Sequence, residues 1–369
     1  MPFFTKKVEF FITIEYESIF LQQQFKYFNL LNQKSVYILG IESSCDDTSA
    51  SVLCDGKVLS NLVANQEIHK SYGGVVPELA SRAHQQNIIP VVNQAISKAN
   101  IDKNQLNAIA YTRGPGLLGS LLVGSSFSKS LSIGLDIPLI EVNHMQAHLL
   151  AHFIDDCGSK PSFPFIGVTI SGGHTQIVIV KDYFDMELIG ETLDDAIGET
   201  FDKCGKMMGL NYPAGAIIDK NSKLGDPLKY KFTKPKVGGL NYSFSGLKTA
   251  FFRFVERETK LNPNFIQQEI NNLCASLQYT IVEILYEKVI LSIKQTDISS
   301  LVFGGGVSCN SGIITKFKKN ESVEDYVSYF PKFEYTTDNA AMIAMVGYLK
   351  FNNKDFSSLE KGAKARYLF

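Results

Sequence analysis

The chain alternates short apolar runs with longer amphipathic stretches, a pattern typical of a protein that mixes strands and helices. The apolar runs are bounded by glycine or polar residues and indicate buried strands at 36–41, 106–111, 137–142, 165–170 and 300–303. Strand pairs that follow polar turns are predicted at 49–54 with 57–64 and at 176–180 with 186–193. The amphipathic stretches predict helices at 77–99, 117–135, 196–208, 263–294, 310–318 and 340–350.

These predicted elements occur in the same order twice. Each half starts with a strand, a turn rich in glycine or serine, and two more strands. Each half later has a strand that ends in a glycine loop at the start of a helix. The repeated order predicts an α/β fold of two similar lobes that face each other across a cleft.

Three glycine turns follow apolar strands, at 114–116, 171–173 and 304–306. Glycine lets backbone N–H groups come close to phosphate oxygens, and a helix N-terminus adds positive potential. A single glycine turn after a strand is weak evidence for a ligand site, because such glycines usually only form the turn. Because three of them occupy related places in the two repeats, they favour a nucleotide-phosphate site.

Composition narrows the class of protein. With 369 residues, 45% of them apolar and 20% charged, the chain is long enough for two lobes with separate cores. A net charge of −1 means that any contact with nucleic acid must come from a local basic patch. The six cysteines have no paired short spacing, and no apolar run is long enough to cross a bilayer. We therefore expect free thiols in a reducing, cytoplasmic compartment.

The first 35 residues are predicted to form an extension outside the main fold. They are rich in phenylalanine, yet Glu9, Glu15 and Glu17 interrupt them, which a secretory leader would not allow. They also contain no arginine, which a mitochondrial presequence would carry.

A histidine pair follows the predicted strand at 137–142. If a helix begins near His144, then His144 and His148 lie on one face, about 6 Å apart along the axis. Two imidazoles so placed can hold one transition metal, although they can also be ordinary buried or surface histidines. His152 lies on the same helix face, four residues after His148 and about 12 Å from His144 along the axis. This is too far to share the ion, so packing or solvent contact is expected for His152.

Eight segments together resemble the TsaD family, the tRNA N6-adenosine threonylcarbamoyltransferases. They cover the chain in order from about Val36 to the C-terminus and are similar above all to the bacterial branch: 40–48 (GIESSCDDT), 74–82 (GVVPELASR), 114–117 (GPGL), 143–148 (NHMQAH), 171–175 (SGGHT), 201–203 (FDK), 243–249 (SFSGLKT) and 337–341 (TDNAA).

The resemblance implies the actin-like, Hsp70-like ATPase fold, a ribonuclease H-like α/β architecture in which two duplicated lobes face a nucleotide and metal cleft. Lobe one is then expected at 36–150, completed by the C-terminal segment 339–369, with lobe two at 151–338. The implied reaction transfers a threonylcarbamoyl group from threonylcarbamoyl-adenylate to N6 of adenosine 37 in tRNAs that read codons beginning with A. The products are t6A and AMP.

The resemblance also implies site residues. The implied metal ligands are His144, His148 and Asp338, which would bind one divalent ion per subunit, with iron (Fe²⁺) preferred and zinc the alternative. The implied catalytic residues are Asp46, Asp47 and His174. The implied contacts to the adenylate are Thr169, Ile170, Ser171, Gly172, Gly173, Asp202, Gly215, Asp219 and Asn310.

The chain departs from the family pattern at a few positions. Ala214 and Ala216 flank Gly215 where the family usually carries Gly-Gly-Pro, which adds a methyl group beside the expected adenosine pocket. Asp47 stands where glutamate is common and is one methylene shorter. Gly304 opens its loop in place of a more usual alanine. None of these changes removes a ligating atom.

Two other enzyme classes compete with this interpretation. An ATPase or small-molecule kinase of the same fold would have an acidic metal site and no histidine pair. A zinc peptidase would carry a glutamate as general base directly after the first histidine, where this chain has Met145. The histidine pair argues against the first class, and Met145 argues against the second.

The family resemblance implies several partners and no membrane association. They are the tRNA anticodon stem-loop, a TsaB-like paralogue, a TsaE-like ATPase, and a TsaC-type synthase that supplies the adenylate. Within the chain, 220–236 is a candidate tRNA surface, because six lysines alternate there with Tyr230 and Phe232. A second candidate patch holds Lys316, Lys318 and Lys319, and a solvated polar loop is the alternative for the first.

Overall fold

The computed structural model describes residues 35–66 and 68–369. The predicted N-terminal extension, apart from Ser35, lies outside the described residues. Among the helices described, none is long and apolar enough to cross a membrane.

Two five-stranded sheets with the same strand order form the framework. The first has the order β3-β2-β1-β4-β5 and contains β1 (Tyr37–Glu42), β2 (Thr48–Cys54), β3 (Lys57–Ala64), β4 (Ala108–Gly114) and β5 (Leu139–Asn143). The second has the order β10-β9-β6-β7-β8 and contains β6 (Phe165–Ile170), β7 (Thr175–Val180), β8 (Met186–Glu191), β9 (Ser300–Gly304) and β10 (Val327–Tyr329). In each sheet the first strand pairs antiparallel with the second and parallel with the fourth. The predicted duplication is confirmed.

Ten α-helices surround and separate the sheets in the described part of the chain. They are α1 (His69–Tyr72), α2 (Pro77–Lys98), α3 (Leu118–Leu135), α4 (His144–Leu150), α5 (Ile197–Met207), α6 (Gly215–Ser222), α7 (Ser245–Leu261), α8 (Phe265–Thr296), α9 (Ser311–Glu324) and α10 (Ala340–Asn352). The helices α1, α6 and α7 and the short strand β10 were not predicted from the sequence pattern. In α7 the signal was present, because its buried residues Leu247, Phe251 and Val255 recur every fourth position.

The elements stack in five layers. Helices α2 and α3 cover the outer face of the first sheet, and α5 to α9 pack on the outer face of the second. Between the sheets lie α4 and α10, whose apolar residues form one buried cluster with side chains from both sheets. The two lobes therefore share a continuous hydrophobic layer, and the two helices inside it contact each other.

Helix α10 lies directly on the first sheet although it comes at the end of the chain. A Cβ atom on Gly40 of β1 would lie 2.4 Å from the Ala340 carbonyl oxygen and 2.7 Å from the Ala344 nitrogen. A Cβ on Gly347 would lie 2.4 Å from the Ala110 methyl group of β4. Because both contacts need glycine, α10 packs closely on the sheet, against the backbone at Gly40 and against a methyl group at Gly347.

We expect Gly40→Ala to destabilise the protein by about 1–3 kcal/mol, because the added methyl group collides with the backbone of α10 and cannot be accommodated by a side-chain shift. Denaturant unfolding monitored by circular dichroism measures the change. The matched control is Gly134→Ala at an exposed position of α3, where no atom lies within 4 Å of the new methyl group. This control should be neutral or stabilise by up to about 1 kcal/mol. Equal stability of the two variants would contradict the close packing of α10.

Candidate active site

Three ligating side chains meet where β5 passes into α4. The Asn143 side chain caps the helix, because its Oδ1 accepts from the N–H groups of Met145 at 2.9 Å and Gln146 at 3.3 Å. The helix thus begins at His144, as predicted, and places His144 and His148 on the same side. Asp338 comes from the turn that precedes α10 and points at both imidazoles.

The three ligand atoms form a small triangle. His144 Nε2 lies 3.1 Å from His148 Nε2 and 3.3 Å from Asp338 Oδ1, and His148 Nε2 lies 3.4 Å from the same oxygen. An ion bound tetrahedrally at about 2.1 Å separates its ligand atoms by about 3.4 Å. Two nitrogens and one carboxylate oxygen also suit a divalent transition metal. These residues therefore fit a metal with open coordination positions.

A buried carboxylate, Glu42, supports the triangle from behind. Its Oε2 accepts a hydrogen bond from His144 Nδ1 at 3.0 Å and another from the Thr112 hydroxyl at 2.5 Å. Its Oε1 accepts from the Ser44 N–H at 2.5 Å. A carboxylate on Nδ1 fixes the ring orientation and aims Nε2 at a metal. This role was not predicted from the sequence, where the available signal was an acidic residue at the end of an otherwise apolar strand.

The charges of the cluster suit cation binding. Burial by itself lowers the pKa of His144, but the carboxylates of Asp338 and Glu42 outweigh burial and raise it well above its usual range. Burial lowers the pKa of His148, which is therefore neutral. Burial opposes ionisation of Asp338, yet the two imidazoles hold the pKa of Asp338 far below its usual range. A positive charge is thus favoured at the centre of the triangle.

The predicted catalytic residues lie around this cluster. Burial, with the charges of Asp46 and Asp338, raises the pKa of Asp47 to about 7. Burial, with the neighbouring His144 and His148, lowers the pKa of His174 to about 4. Asp47 is therefore close to half-protonated at neutral pH, and His174 is neutral there.

A turn at 171–173 carries two exposed glycines of the second lobe. The turn is closed by two hydrogen bonds, from Ser171 N–H to the His174 carbonyl at 2.8 Å and from His174 N–H to Ser171 Oγ at 3.1 Å. A Cβ atom added to Gly172 or Gly173 would meet no atom within 4 Å, so the side of each Cα that a side chain would occupy is open space. The Gly172 backbone itself packs on α5, because a Cβ on Gly198 would lie 2.8 Å from Gly172 Cα and 3.0 Å from its nitrogen. Behind the turn, Thr169 and Ile170 are buried in β6. The turn therefore leaves room for a ligand beside its two glycines.

Asp202 holds the start of α6. Its Oδ1 accepts from the Ala214 N–H at 2.7 Å, and burial raises the pKa of the Asp202 carboxyl to about 6. Gly215 follows directly and has open space beside it. The methyl group of Ala214, which departs from the family pattern, packs against Gly205. A Cβ atom built on Gly205 would lie only 2.2 Å from this methyl group, so glycine is needed at 205.

Asp219 and Asn310 are engaged by protein groups. Asp219 Oδ1 accepts from the Ser311 hydroxyl at 2.7 Å and from Gln278 Nε2 at 3.1 Å. Asn310 caps α9 with its oxygen and donates its amide N–H to Gln278 Oε1 at 2.8 Å. Gln278 and Ser311 also line a cavity of about 500 Å³ between α6, α8 and α9. These side chains join three helices, and the cavity opens beside them.

The structure bears on the expectations for Tyr230, Phe232 and His152. Tyr230 and Phe232 are half-buried, and both rings pack against Phe254 beside the core of the second lobe, which leaves neither ring fully exposed for stacking on a nucleic-acid base. His152 is buried and bonds to the Phe303 carbonyl oxygen through Nε2 at 2.8 Å, so of packing and solvent contact, packing is confirmed for it.

Ion pairs also reduce the positive charge of the two lysine-rich segments. Lys229 pairs with Glu269, and Lys234 pairs with Glu287. Lys316 of the second patch contacts Glu283. Both segments are therefore less basic than their lysine content indicates.

Known proteins match this chain along most of its length. The family model described as "TsaD: tRNA N6-adenosine threonylcarbamoyltransferase" matches residues 57–345. A tRNA N6-adenosine threonylcarbamoyltransferase of Christiangramia forsetii is 60% identical over 340 residues, covering 92% of this chain and 100% of that protein. A protein of the same name from Riemerella anatipestifer is 58% identical over 335 residues, covering 90% of this chain and 98% of that protein.

Similarity to solved structures concerns the fold alone. The crystal structure of T. kodakarensis HypF matches with a TM-score of 0.59 at 13% identity, covering 86% of this chain and 48% of that one. Full-length HypF in a phosphate- and nucleotide-bound form matches with a TM-score of 0.54 at 14% identity, covering 87% and 47%. These neighbours have the actin-like ATPase fold, which the two sheets of this chain share.

We expect Glu42→Gln to weaken metal binding by about 10–100-fold, because the amide cannot hold His144 Nδ1–H as a carboxylate does. The affinity is measured by titrating Zn²⁺ into the metal-free protein against a competing chelator. Glu256→Gln on exposed α7 is the matched control and should leave the affinity unchanged, since its partner is only the neighbouring Lys260. Wild-type affinity in Glu42→Gln would rule out a supporting role for this carboxylate.

Proposed function

Because the chain belongs to the TsaD family and is a tRNA N6-adenosine threonylcarbamoyltransferase that forms t6A, we propose that it performs this transfer at the triangle of His144, His148 and Asp338. The observation that carries the proposal is the convergence of their three ligand atoms within 3.4 Å. We propose one divalent metal per subunit, iron (Fe²⁺) first and zinc second. The bound ion supplies Lewis-acid polarisation of the carbonyl oxygen of the donor.

The proposed donor is threonylcarbamoyl-adenylate, and the proposed acceptor is N6 of adenosine 37. N6 attacks the carbamoyl carbon, the bond from that carbon to the phosphate oxygen breaks, and AMP leaves with the electron pair. The attacking nitrogen must lose a proton. Asp47, with its pKa of about 7, is matched to accept that proton at neutral pH.

His174 and Asp46 act beside it. Neutral His174 can donate or accept a hydrogen bond at the reacting group, and the charge of Asp46 keeps the pKa of Asp47 high.

The adenylate is proposed to lie between the glycine turn and α6. The open space beside Gly172 and Gly173 leaves room for phosphate oxygens, and the side chains of Asp202 and Asp219 suit ribose hydroxyls. The remaining proposed contacts, with the base and sugar, come from Thr169, Ile170, Ser171, Gly215 and Asn310. Asp219 and Asn310 would reach the ligand from the network that joins α6, α8 and α9.

The proposed partners follow from the same family membership. A TsaB-like paralogue would cover the exposed apolar side chains of α2 and α3, which include Ile89, Leu118, Leu122 and Ile133. A TsaE-like ATPase and a TsaC-type synthase would complete a cytoplasmic pathway, with the synthase supplying the adenylate. The tRNA anticodon stem-loop is proposed to approach the open side of the cleft.

We expect Asp338→Asn to weaken metal binding by more than the roughly 10–100-fold typical of an outer-shell change, because a ligating charge is lost. Transfer to tRNA should fall in step and should be partly restored by excess metal. The assay supplies threonine, bicarbonate, ATP, the synthase and tRNA, and detects t6A by mass spectrometry. Full metal occupancy together with full transfer in Asp338→Asn would overturn the proposed centre.

The pH dependence tests Asp47. Protonated Asp47 cannot accept a proton, so kcat should rise with pH up to about 7 and then level off. Asp47→Asn should lower kcat by about 10²–10⁴-fold and abolish this rise of kcat with pH. Asp46→Asn removes a neighbouring negative charge, so the pKa of Asp47 should fall and the rise of kcat should move to lower pH. An unchanged rise of kcat with pH in Asp47→Asn would assign the base to another group.

A further inference from the structure

The C-terminal tail, residues 353–369, returns across the first sheet after α10 ends. It first runs beside β5, where Ser357 N–H donates to the Leu139 carbonyl at 2.8 Å and Ser357 Oγ accepts from the Glu141 N–H at 2.7 Å. It then crosses to the end of β4. There Lys364 N–H donates to the Arg113 carbonyl at 2.8 Å. The tail is therefore bound through its backbone along two neighbouring strands.

A charged cluster under the tail anchors it. The carboxylate of Glu141 is buried and is paired with Arg113 Nη1 at 2.7 Å and with Lys361 Nζ at 2.9 Å. The Arg113 guanidinium also stacks at 5.2 Å on the Tyr367 ring. Arg113 and Glu141 form the buried pair, and two tail residues contact it, Lys361 with a half-exposed ammonium group and Tyr367 with its ring.

The end of the tail reaches the residue that starts the histidine helix. Asn143 Nδ2 donates to the carbonyl oxygens of Leu368 at 3.0 Å and Tyr367 at 3.3 Å. The other atom of the same amide, Oδ1, caps α4. An amide that donates on one side must present its oxygen on the other. The two tail carbonyls therefore determine the orientation of the cap.

We propose that the C-terminal tail positions the metal centre through Asn143. Helix α4 has only seven residues, too few to be stable without its cap and its packing. His144 follows Asn143 directly, so a shift of the cap moves its imidazole. Metal ligands must lie within about 0.2 Å of their required distances, so such a shift lowers affinity. This inference rests on the proposed metal centre and makes Asn143, Tyr367 and Leu368 positioning residues.

The decisive variant is Asn143→Asp in the full-length chain. Aspartate keeps the oxygen that caps α4, and it is as good a cap as asparagine. It has no N–H group for the tail and sets a carboxylate against the two tail carbonyls. Its added negative charge would by itself favour a cation, so weaker binding cannot come from that charge. We expect the Kd for Zn²⁺, titrated against a competing chelator, to rise about 10–100-fold.

A deletion approaches the same contact from the other side. Removing Tyr367, Leu368 and Phe369 leaves Asn143 intact but takes away both carbonyls, so the Kd for Zn²⁺ should rise by a similar factor. If both changes act through one contact, they should not add. The protein that combines Asn143→Asp with the deletion should then bind Zn²⁺ no more weakly than whichever single change weakens binding more. Glu360→Gln is the control. It changes an exposed side chain of the same tail, keeps both carbonyls in place, and should bind Zn²⁺ like the wild type.

The outcomes separate this inference from the proposed function. If the wild type binds no Zn²⁺, the proposed centre itself fails. If the wild type binds Zn²⁺ and Asn143→Asp binds it equally well, only the role of the tail is overturned. The inference is also overturned if the two changes weaken binding additively, or if the deletion folds and keeps wild-type affinity. Should the deleted protein fail to fold, Asn143→Asp decides alone, and excess Zn²⁺ should restore its transfer activity.

Discussion

Two buried imidazoles and one carboxylate converge at the cleft, and the surrounding structure is arranged to hold them together. Three polar atoms within 3.4 Å of one another, largely shielded from water, are stable only if a positive charge lies among them. The protein arranges this with Glu42 behind His144, with a capped helix that aims both rings, and with Asp338 at the entry to α10. Glu42 acts through its hydrogen bond to His144 Nδ1, and the helix cap acts through the hydrogen bonds to Asn143 Oδ1.

The shared layer between the sheets makes the convergence possible. Helices α4 and α10 come from distant parts of the chain, yet both lie in one apolar cluster and contact each other. Gly40 and Gly347 let α10 approach the first sheet to backbone distance. Asp338 therefore reaches the histidines from the turn before a helix that packs on the first sheet, although this turn follows the last elements of the second lobe in the sequence. The packing of α10 on the first sheet therefore determines where the Asp338 carboxylate lies.

The second lobe contributes surfaces of a different kind. Its glycine turn at 172–173 faces open space, while Asp202, Asp219 and Asn310 hold the starts of α6 and α9. The triangle of ligand atoms on one side and the open space beside the glycine turn on the other fit the metal and the adenylate that we propose for this site.

The order of most strands and helices, the duplication, and the pairing of His144 with His148 follow from the sequence alone, whereas α1, α6, α7 and β10 do not. These features depend on neighbours in the chain, because periodicity and capping act over a few residues. Asp338 could be added only through the family resemblance. The role of Glu42, the packing of Tyr230 and Phe232, and the contact of the tail with Asn143 depend on tertiary structure. In each case the partners are far apart in the sequence, about 100 residues for Glu42 and His144 and more than 200 for Asn143 and Leu368. No local pattern encodes such contacts, because they exist only once the layers have packed.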